Sequence, residues 1–188
     1  MSSEFRFTTV KPDKIRNVNF TFPQTTLFTY DSRNKTQVIY NKNVYKDYRS
    51  SAEPRSAPEK QFEKYLENAK TVVWFYKNGD KGEEYFSIVY DDTMGKLHLF
   101  YPDYVVRVNN ETWILETKGG FSRTGTSQDI DVFSEIKYNY LRQYITQNNL
   151  KGGFVRKDEK SQDLFICTGE YSSDINSDNW QLLSDVIS

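Results

Sequence analysis

The amino-acid sequence predicts an α/β domain of the α+β kind, in which a central mixed β-sheet is flanked by helices. Three observations support this fold class: a helix-start signal near residue 56, a series of short β-prone runs between residues 72 and 118, and a second helical stretch followed by further strands. A helical crossover allows the strand after it to join the sheet in parallel, which makes the sheet mixed. The 188 residues are sufficient for one such core.

The chain is predicted to divide near residue 50. Residues 1–50 are polar and aromatic, and the alternation at 17–22 and 37–40 favours short strands, so we interpret this part as an N-terminal extension. Residues 51–188 are interpreted as the folded domain. No apolar run approaches the roughly 18 residues of a membrane span, and the polar start carries no signal-peptide pattern, so we expect a cytoplasmic protein.

The first helix is predicted from its cap and its periodicity. Ser56 is a candidate N-cap and Pro58 suits a first turn. Apolar residues then recur at helical spacing at Phe62, Tyr65, Leu66 and Ala69. Glu59 shares this face, and two interpretations stay open: its carboxylate reaches a metal ion or bound water, or it complements the helix dipole.

The strands that follow are predicted as a four-stranded meander. They cover residues 72–76, 85–90, 97–108 and 112–118, with turn-forming residues at 78–80 and 91–95. The last two are joined by Asn109-Asn110, which favours a two-residue hairpin. Counting back from that turn places Asp103 opposite Glu116, with their Cβ atoms about 4.5 to 5.5 Å apart.

Side-chain alternation divides this hairpin into two faces. Glu116 and Lys118 share one face with Val105 and Ile114. The other face is predicted to carry Tyr104, Val106, Trp113 and Leu115. Both faces contain apolar residues, so we expect the hairpin to be central in the sheet.

The facing carboxylates of Asp103 and Glu116 favour a divalent metal site, because a cation between them removes their mutual repulsion. Oxygen ligands suit Mg²⁺ or Mn²⁺ better than zinc, and the carbonyl of Thr117 is a further candidate ligand. Lys118 is placed to orient or deprotonate a water molecule and to offset charge on a phosphoryl oxygen. The alternative is that these are exposed charges on a solvated strand face, with Lys118 in an ordinary ion pair.

At these residues the chain resembles the PD-(D/E)xK nuclease superfamily, whose two signature elements are matched by Pro102-Asp103 and Glu116-Thr117-Lys118. A wider stretch, about residues 50–160, looks like the C-terminal endonuclease domain of type III restriction enzyme Res subunits. The segments that carry this likeness are 56–59 with Phe62, 74–78, 100–105 and 113–119. The resemblance implies a restriction-endonuclease-like core within 51–188 and Mg²⁺-dependent cleavage of DNA, with Mn²⁺ as a substitute.

The resemblance also suggests roles for residues outside the signature. The family has a Glu on the helix before the sheet; Glu59 matches its position and completes the acidic shell, while Glu63 is the rival candidate. Lys77-Asn78 matches a pair in that family and is interpreted as shaping the strand end. Lys137 corresponds to a basic or Gln residue of many relatives and is a candidate DNA contact.

The resemblance further implies partners that these residues do not encode. An ATP-dependent motor domain and a methyltransferase subunit would accompany the nuclease. Gly95-Lys96 lacks the upstream Gly and the following Ser or Thr of a Walker A loop, so no ATP site is expected in this chain.

The remainder of the chain is predicted as loop, helix, two strands and a short helix. The Gly/Ser/Thr-rich loop at 119–128 carries Arg123, a candidate contact to the DNA backbone, although a plain connector is the alternative. Helical spacing follows over 130–148. Strands are predicted at 153–156 and 164–168, and a terminal helix at 177–187.

Composition excludes some chemistry and leaves two other functions open. With one cysteine, Cys167, and one histidine, His98, the chain forms no internal disulfide and no Cys- or His-based zinc site. The formal net charge of −1 does not itself indicate nucleic acid. The alternatives to a nuclease are a catalytically silent DNA-binding or scaffolding module of the same fold, and an unrelated interaction domain that uses its many Tyr and Phe residues.

Overall fold

The computed structural model describes an α+β chain with a mixed six-stranded sheet flanked by helices and a separate two-stranded sheet. The described residues are 22, 40–44, 56–79, 85–92, 94–119 and 133–188, so most of the predicted extension at 1–50 lies outside them. The elements are α1 (Ala57–Asn68), β1 (Val72–Lys77), β2 (Ile88–Asp91), β3 (Leu97–Phe100), β4 (Tyr104–Val108), β5 (Glu111–Lys118), α2 (Ser134–Gln147), β6 (Lys151–Lys157), β7 (Leu164–Cys167), β8 (Trp180–Leu182) and α3 (Leu183–Val186).

Helix α1 begins where the sequence predicts it. The Ser56 hydroxyl accepts from the Glu59 amide at 3.3 Å, and the Glu59 carboxylate accepts from the Ser56 amide at 2.7 Å, which together form a capping box. Phe62 and Leu66 are fully buried against the sheet, as the apolar stripe predicts. Glu63, between them in sequence, is also fully buried.

The predicted meander is wrong. The six-stranded sheet has the order β1-β4-β5-β6-β7-β8, and among the described residues β2 pairs with β3 alone, in the two-stranded sheet. Instead of one long strand at 97–108 there are two, because Pro102 has no amide to donate to a ladder. The side chain of Asn78 donates to the carbonyl oxygens of Phe86 at 2.7 Å and Pro102 at 2.9 Å. These bonds join the end of β1 to the segments just before β2 and just before β4.

The β4–β5 hairpin is confirmed in register and in the division of its faces. Tyr104 pairs with Leu115 and Val108 with Glu111, and Asn109 takes the positive φ of 48° that the tight turn needs. One hydrophobic core, which includes residues of α1, contains the side chains that the sequence assigns to one face: Tyr104, Val106, Trp113 and Leu115. A second core, which includes residues of α2, contains those of the other: Val105 and Ile114.

Strand β6 joins β5 in parallel after the α2 crossover, as predicted. A Cβ at Gly152 would lie 2.2 Å from the Ile114 carbonyl oxygen, and one at Gly153 would lie 2.0 Å from that of Cys167. These glycines therefore permit close approach to both neighbouring strands. The pairing sets Phe154 beside Glu116 and Arg156 beside Lys118.

The predicted terminal helix at 177–187 is wrong except for one turn. Trp180 pairs with Cys167 at the edge of the sheet, and its indole donates to the Ser172 carbonyl at 2.9 Å, so a long-range strand pairing replaces the helix over 180–182. Only α3, four residues long, is helical. In the part of the chain that the structure describes, no helix is both long and apolar enough to cross a membrane.

Candidate functional site

Five charged side chains meet at one end of the central strands. Lys77 is the last residue of β1, Asp103 immediately precedes β4, and Glu116 and Lys118 lie at the C-terminal end of β5. Glu59 reaches the same place from the first turn of α1. The structure thus brings together the four residues that the sequence predicts as catalytic, and adds Lys77.

Asp103 is held by the strands on both sides of it. Its Oδ1 accepts from Lys77 Nζ at 2.6 Å, and its Oδ2 accepts from the Thr117 amide at 2.9 Å and the Thr117 hydroxyl at 2.5 Å. Its own backbone amide donates to Glu116 Oε2 at 3.1 Å. Thr117 therefore orients Asp103 through its amide and hydroxyl, a role that the sequence analysis missed when it considered only the Thr117 carbonyl.

Glu116 and Lys118 form a second, buried pair. Lys118 Nζ donates to Glu116 Oε1 at 2.9 Å. Lys118 is only 7% exposed and Glu116 only 9%. The ammonium also lies 5.0 Å from the centre of the Phe154 ring, a cation–π distance. The Phe154 ring and the Glu116 carboxylate thus fix the position of the Lys118 ammonium. The interpretation of these residues as exposed charges on a solvated face does not fit this burial.

Lys77 links two of the acids. Its Nζ lies 2.7 Å from Glu59 Oε1 and 2.6 Å from Asp103 Oδ1, and 4.8 Å from the centre of the Tyr104 ring. The Asn78 side chain, by contrast, bonds main-chain groups of Phe86 and Pro102, in keeping with a role at the strand end. The site position of Lys77 escapes sequence reasoning because it depends on the β1–β4 pairing, which the predicted meander lacks.

The two carboxylates of α1 differ in their surroundings. Glu59 Oε2 belongs to the capping box while Oε1 meets Lys77, so this side chain serves the helix start and the charged cluster together. Glu63 lies one turn further on, fully buried, and its Oε1 accepts from the Tyr104 hydroxyl at 3.1 Å. Of the two rivals, Glu59 contacts the cluster through Lys77.

The charges of the cluster shift its pKa values in opposite directions. Burial opposes ionisation of Asp103, but Lys77 and the hydrogen bonds from Thr117 outweigh it and lower the pKa of Asp103 below its ordinary value. Burial likewise acts to lower the pKa of Lys77, and the charges of Asp103 and Glu59 raise it instead. Burial and the charge of Asp103 raise the pKa of Glu116 to about 7, because Lys118 compensates them only in part.

This charge pattern fits a divalent cation. Asp103 and Glu116 place two carboxylates on neighbouring backbones, and burial together with the charge of Asp103 raises the pKa of Glu116. Mg²⁺ is commonly bound by one or two carboxylates, with water and substrate phosphate as the other ligands. Within the described residues, no group of three or more His, Cys, Asp and Glu side chains is arranged to hold a metal ion, so the fit rests on these two acids.

The two predicted DNA contacts have different outcomes. Lys137 Nζ lies 6.0 Å from the centre of the Tyr90 ring, so it faces the β2–β3 sheet. Arg123, with the rest of the loop after Gly119, lies outside the described residues.

Comparison of the chain with protein-family models, with curated proteins and with solved structures found no match.

Proposed function

We propose that this chain is a metal-dependent DNA endonuclease domain with a restriction-endonuclease-like core, which hydrolyses phosphodiester bonds. The observation that carries the proposal is the charged cluster in which Asp103, just before β4, adjoins Glu116 of β5, with Lys118 bonded to Glu116. A buried arrangement of like charges costs folding free energy, and a metal-binding function accounts for it.

In this proposal Asp103, Glu116 and the Thr117 carbonyl would hold Mg²⁺, with Mn²⁺ as a substitute. When bound, the cation supplies Lewis-acid activation of water and neutralises charge on a phosphoryl oxygen. Lys118 contributes its ammonium beside the attacking water, in a position fixed by Glu116 and Phe154. It orients that water and offsets the charge that develops on the phosphate.

The remaining residues of the cluster position the reacting groups. Lys77 keeps Asp103 ionised and directs one of its oxygens, while Thr117 directs the other. Glu59 completes the acidic shell by holding Lys77 from the opposite side. These contacts set Asp103 in place before DNA arrives, and Lys118 and the Asp103 amide do the same for Glu116.

The resemblance to type III restriction enzymes suggests the wider setting. In that setting the domain acts with an ATP-dependent motor domain and a methyltransferase subunit, which supplies recognition of the DNA sequence. DNA is the substrate in either case, whether the domain acts within such an assembly or as a separate nuclease.

The test is incubation of the chain with supercoiled plasmid in Mg²⁺ or Mn²⁺, beside its Lys118→Met variant. We expect nicked and linear products from the wild type and at least about a hundredfold slower cutting by the variant, the usual loss when a group that acts on the nucleophile is removed. Lys151→Met is the matched control, because Lys151 is an exposed lysine at the N-terminal end of β6, away from the charged cluster. Cutting that persists without metal, or equally in Lys118→Met, would contradict the proposal.

A second candidate is a catalytically silent DNA-binding or scaffolding module of the same fold. It is favoured by one observation: all four carboxylate oxygens of Asp103 and Glu116 already accept a hydrogen bond from the protein itself. Calorimetry with Mn²⁺ separates the two candidates. Metal binding that is lost in Asp103→Asn supports the nuclease, whereas DNA binding without metal binding supports the silent module.

A further inference from the structure

Arg156 lies next to Lys118 at the same end of the sheet. The two residues are register partners on the parallel strands β6 and β5, and neighbouring strands are about 4.8 Å apart. Since paired residues point to the same face, Arg156 projects to the face that carries Glu116, Lys118 and Phe154. Two cationic residues therefore leave adjacent strands on the face that carries Glu116.

The guanidinium of Arg156 is held in place by the segment after β7. It donates from Nη1 to the Ser173 carbonyl at 2.7 Å and lies 5.4 Å from the centre of the Trp180 ring. The side chain is half-buried, so a carbonyl and an aromatic face orient it rather than bulk water.

The charge of Arg156 has no carboxylate partner at ion-pair distance in the described part of the chain. Asp158 and Asp174 are close enough to act on it electrostatically, yet burial is the larger influence and lowers the pKa of Arg156. Each of these carboxylates is engaged in its own turn. Asp158 accepts from the Ser161 amide at 2.8 Å, and Asp174 accepts from the Asn176 amide at 2.9 Å.

Tyr171 is a third polar residue near Arg156 and Lys118, and its ring lies 6.3 Å from that of Phe154. Its phenol hydrogen-bonds Ser134, the first residue of α2. The charges of Arg156 and Lys118 both act to lower the pKa of Tyr171 against the larger effect of burial, so the phenol lies near both cations. Two cationic residues and a phenol that interacts electrostatically with both suit an anion with several acceptor oxygens.

We propose that Arg156, together with Lys118 and Tyr171, forms a subsite that binds a backbone phosphate of DNA beside the scissile bond. The inference rests on the proposed function and extends it, because it assigns the residue that positions the substrate rather than the metal. The planar guanidinium bonds two phosphate oxygens at once, which fixes the position of the strand in front of Lys118. Trp180 and Ser173 keep the guanidinium oriented for that contact.

The test is the affinity for a fluorescein-labelled DNA duplex, measured by anisotropy in EDTA so that no cutting occurs. We expect Arg156→Met to weaken binding about tenfold at moderate salt and to reduce the slope of log affinity against log salt by about one, as for a lost phosphate contact. Arg156→Lys keeps the charge without the fork, so it should retain the salt slope and recover part of the affinity. Lys157→Met is the matched control, since Lys157 is the next residue and points to the opposite face.

Three outcomes distinguish this inference from the proposed function. If wild type cuts plasmid while Arg156→Met matches it in affinity and salt slope, or weakens no more than Lys157→Met, the subsite is refuted and the nuclease stands. If wild type binds DNA through Arg156 without cutting, the subsite is supported and the nuclease fails. If wild type neither binds nor cuts DNA, both are refuted. A thermal melt of each variant shows that the comparison is made between folded proteins.

Discussion

The two sides of the charged cluster are built from the same groups and differ in how well their charges are compensated. On the α1 side, Lys77 lies between Glu59 and Asp103, within 2.7 Å of both. On the α2 side, Lys118 Nζ lies 2.9 Å from Glu116 Oε1, but the negative charge of Asp103 also repels the Glu116 carboxylate. The pKa of Asp103 on the first side is lowered, whereas the pKa of Glu116 on the second side is raised to about 7. Asp103 is thus held in its charged form, whereas Glu116 gains and loses a proton near neutral pH.

Removal of Lys77 breaks the anchored side and should have the largest effect on stability. Lys77→Met leaves Glu59 and Asp103 without their shared cation, and we expect the free energy of unfolding to fall by about 3 kcal/mol or more. Lys118→Met should cost clearly less, because Glu116 takes up a proton near pH 7 and Met retains contact with the Phe154 ring. Urea unfolding of both variants in EDTA measures the difference, and equal losses would contradict the proposed asymmetry.

The pH dependence of stability sharpens the comparison from the other side. Folding raises the pKa of Glu116 from 4.5 to about 7, so the folded state binds the extra proton between these values. The free energy of unfolding of the metal-free protein should therefore fall as the pH rises from about 4.5 to 7, by on the order of 3 kcal/mol. The lowered pKa of Asp103 has the opposite sign, and its stabilising contribution is lost only in more acid solution.

Substitutions separate these two contributions. In Glu116→Gln the fall between pH 4.5 and 7 should disappear, and in Asp103→Asn it should shrink because the repelling charge is gone. Urea unfolding of metal-free protein across this range is the measurement. A fall of unchanged size in Glu116→Gln would show that another group causes it.

Loss of the helix cap should have the smallest effect. Ser56→Ala removes the hydroxyl that accepts from the Glu59 amide and should lower the free energy of unfolding by about 1 kcal/mol. Since Lys77 still holds the Glu59 carboxylate, plasmid cutting should change little. Ser184→Ala is a matched control at an exposed serine in the short terminal helix. A cutting defect as large as that of Lys118→Met would mean that the cap, rather than the ion pair, positions Glu59.

Local patterns predicted the centre of the molecule well and its edges poorly. The turn at Asn109 and the alternation of apolar residues were enough to define the β4–β5 register, because a hairpin is set by neighbouring residues. The pairing of β1 with β4 joins segments separated by the β2–β3 hairpin, and no local pattern encodes it. The same limit applies to β8, whose strand conformation depends on its pairing with β7.

The site was predicted to the same extent for the same reason. Asp103, Glu116 and Lys118 follow from the hairpin register, whereas Lys77 and Arg156 enter through the partners of that hairpin on either side. The place of both residues near the cluster depends on the β1–β4 and β5–β6 strand pairings, whose registers no local sequence pattern encodes. Glu59 was placed correctly at the start of the helix, where its carboxylate takes part in the capping box and pairs with Lys77, while its contact to a metal ion stays a prediction.

Because Glu59 divides its two oxygens between the Ser56 amide and Lys77, the start of α1 is mechanically joined to the charged cluster. Any event that draws Lys77 or Asp103 to a new partner will loosen or tighten this link. The rate of hydrogen–deuterium exchange at the backbone amides in the first turn of α1 should therefore report changes in the charged cluster. A probe of this kind needs neither catalysis nor an attached label, and it reports from a helix end rather than from the reacting atoms.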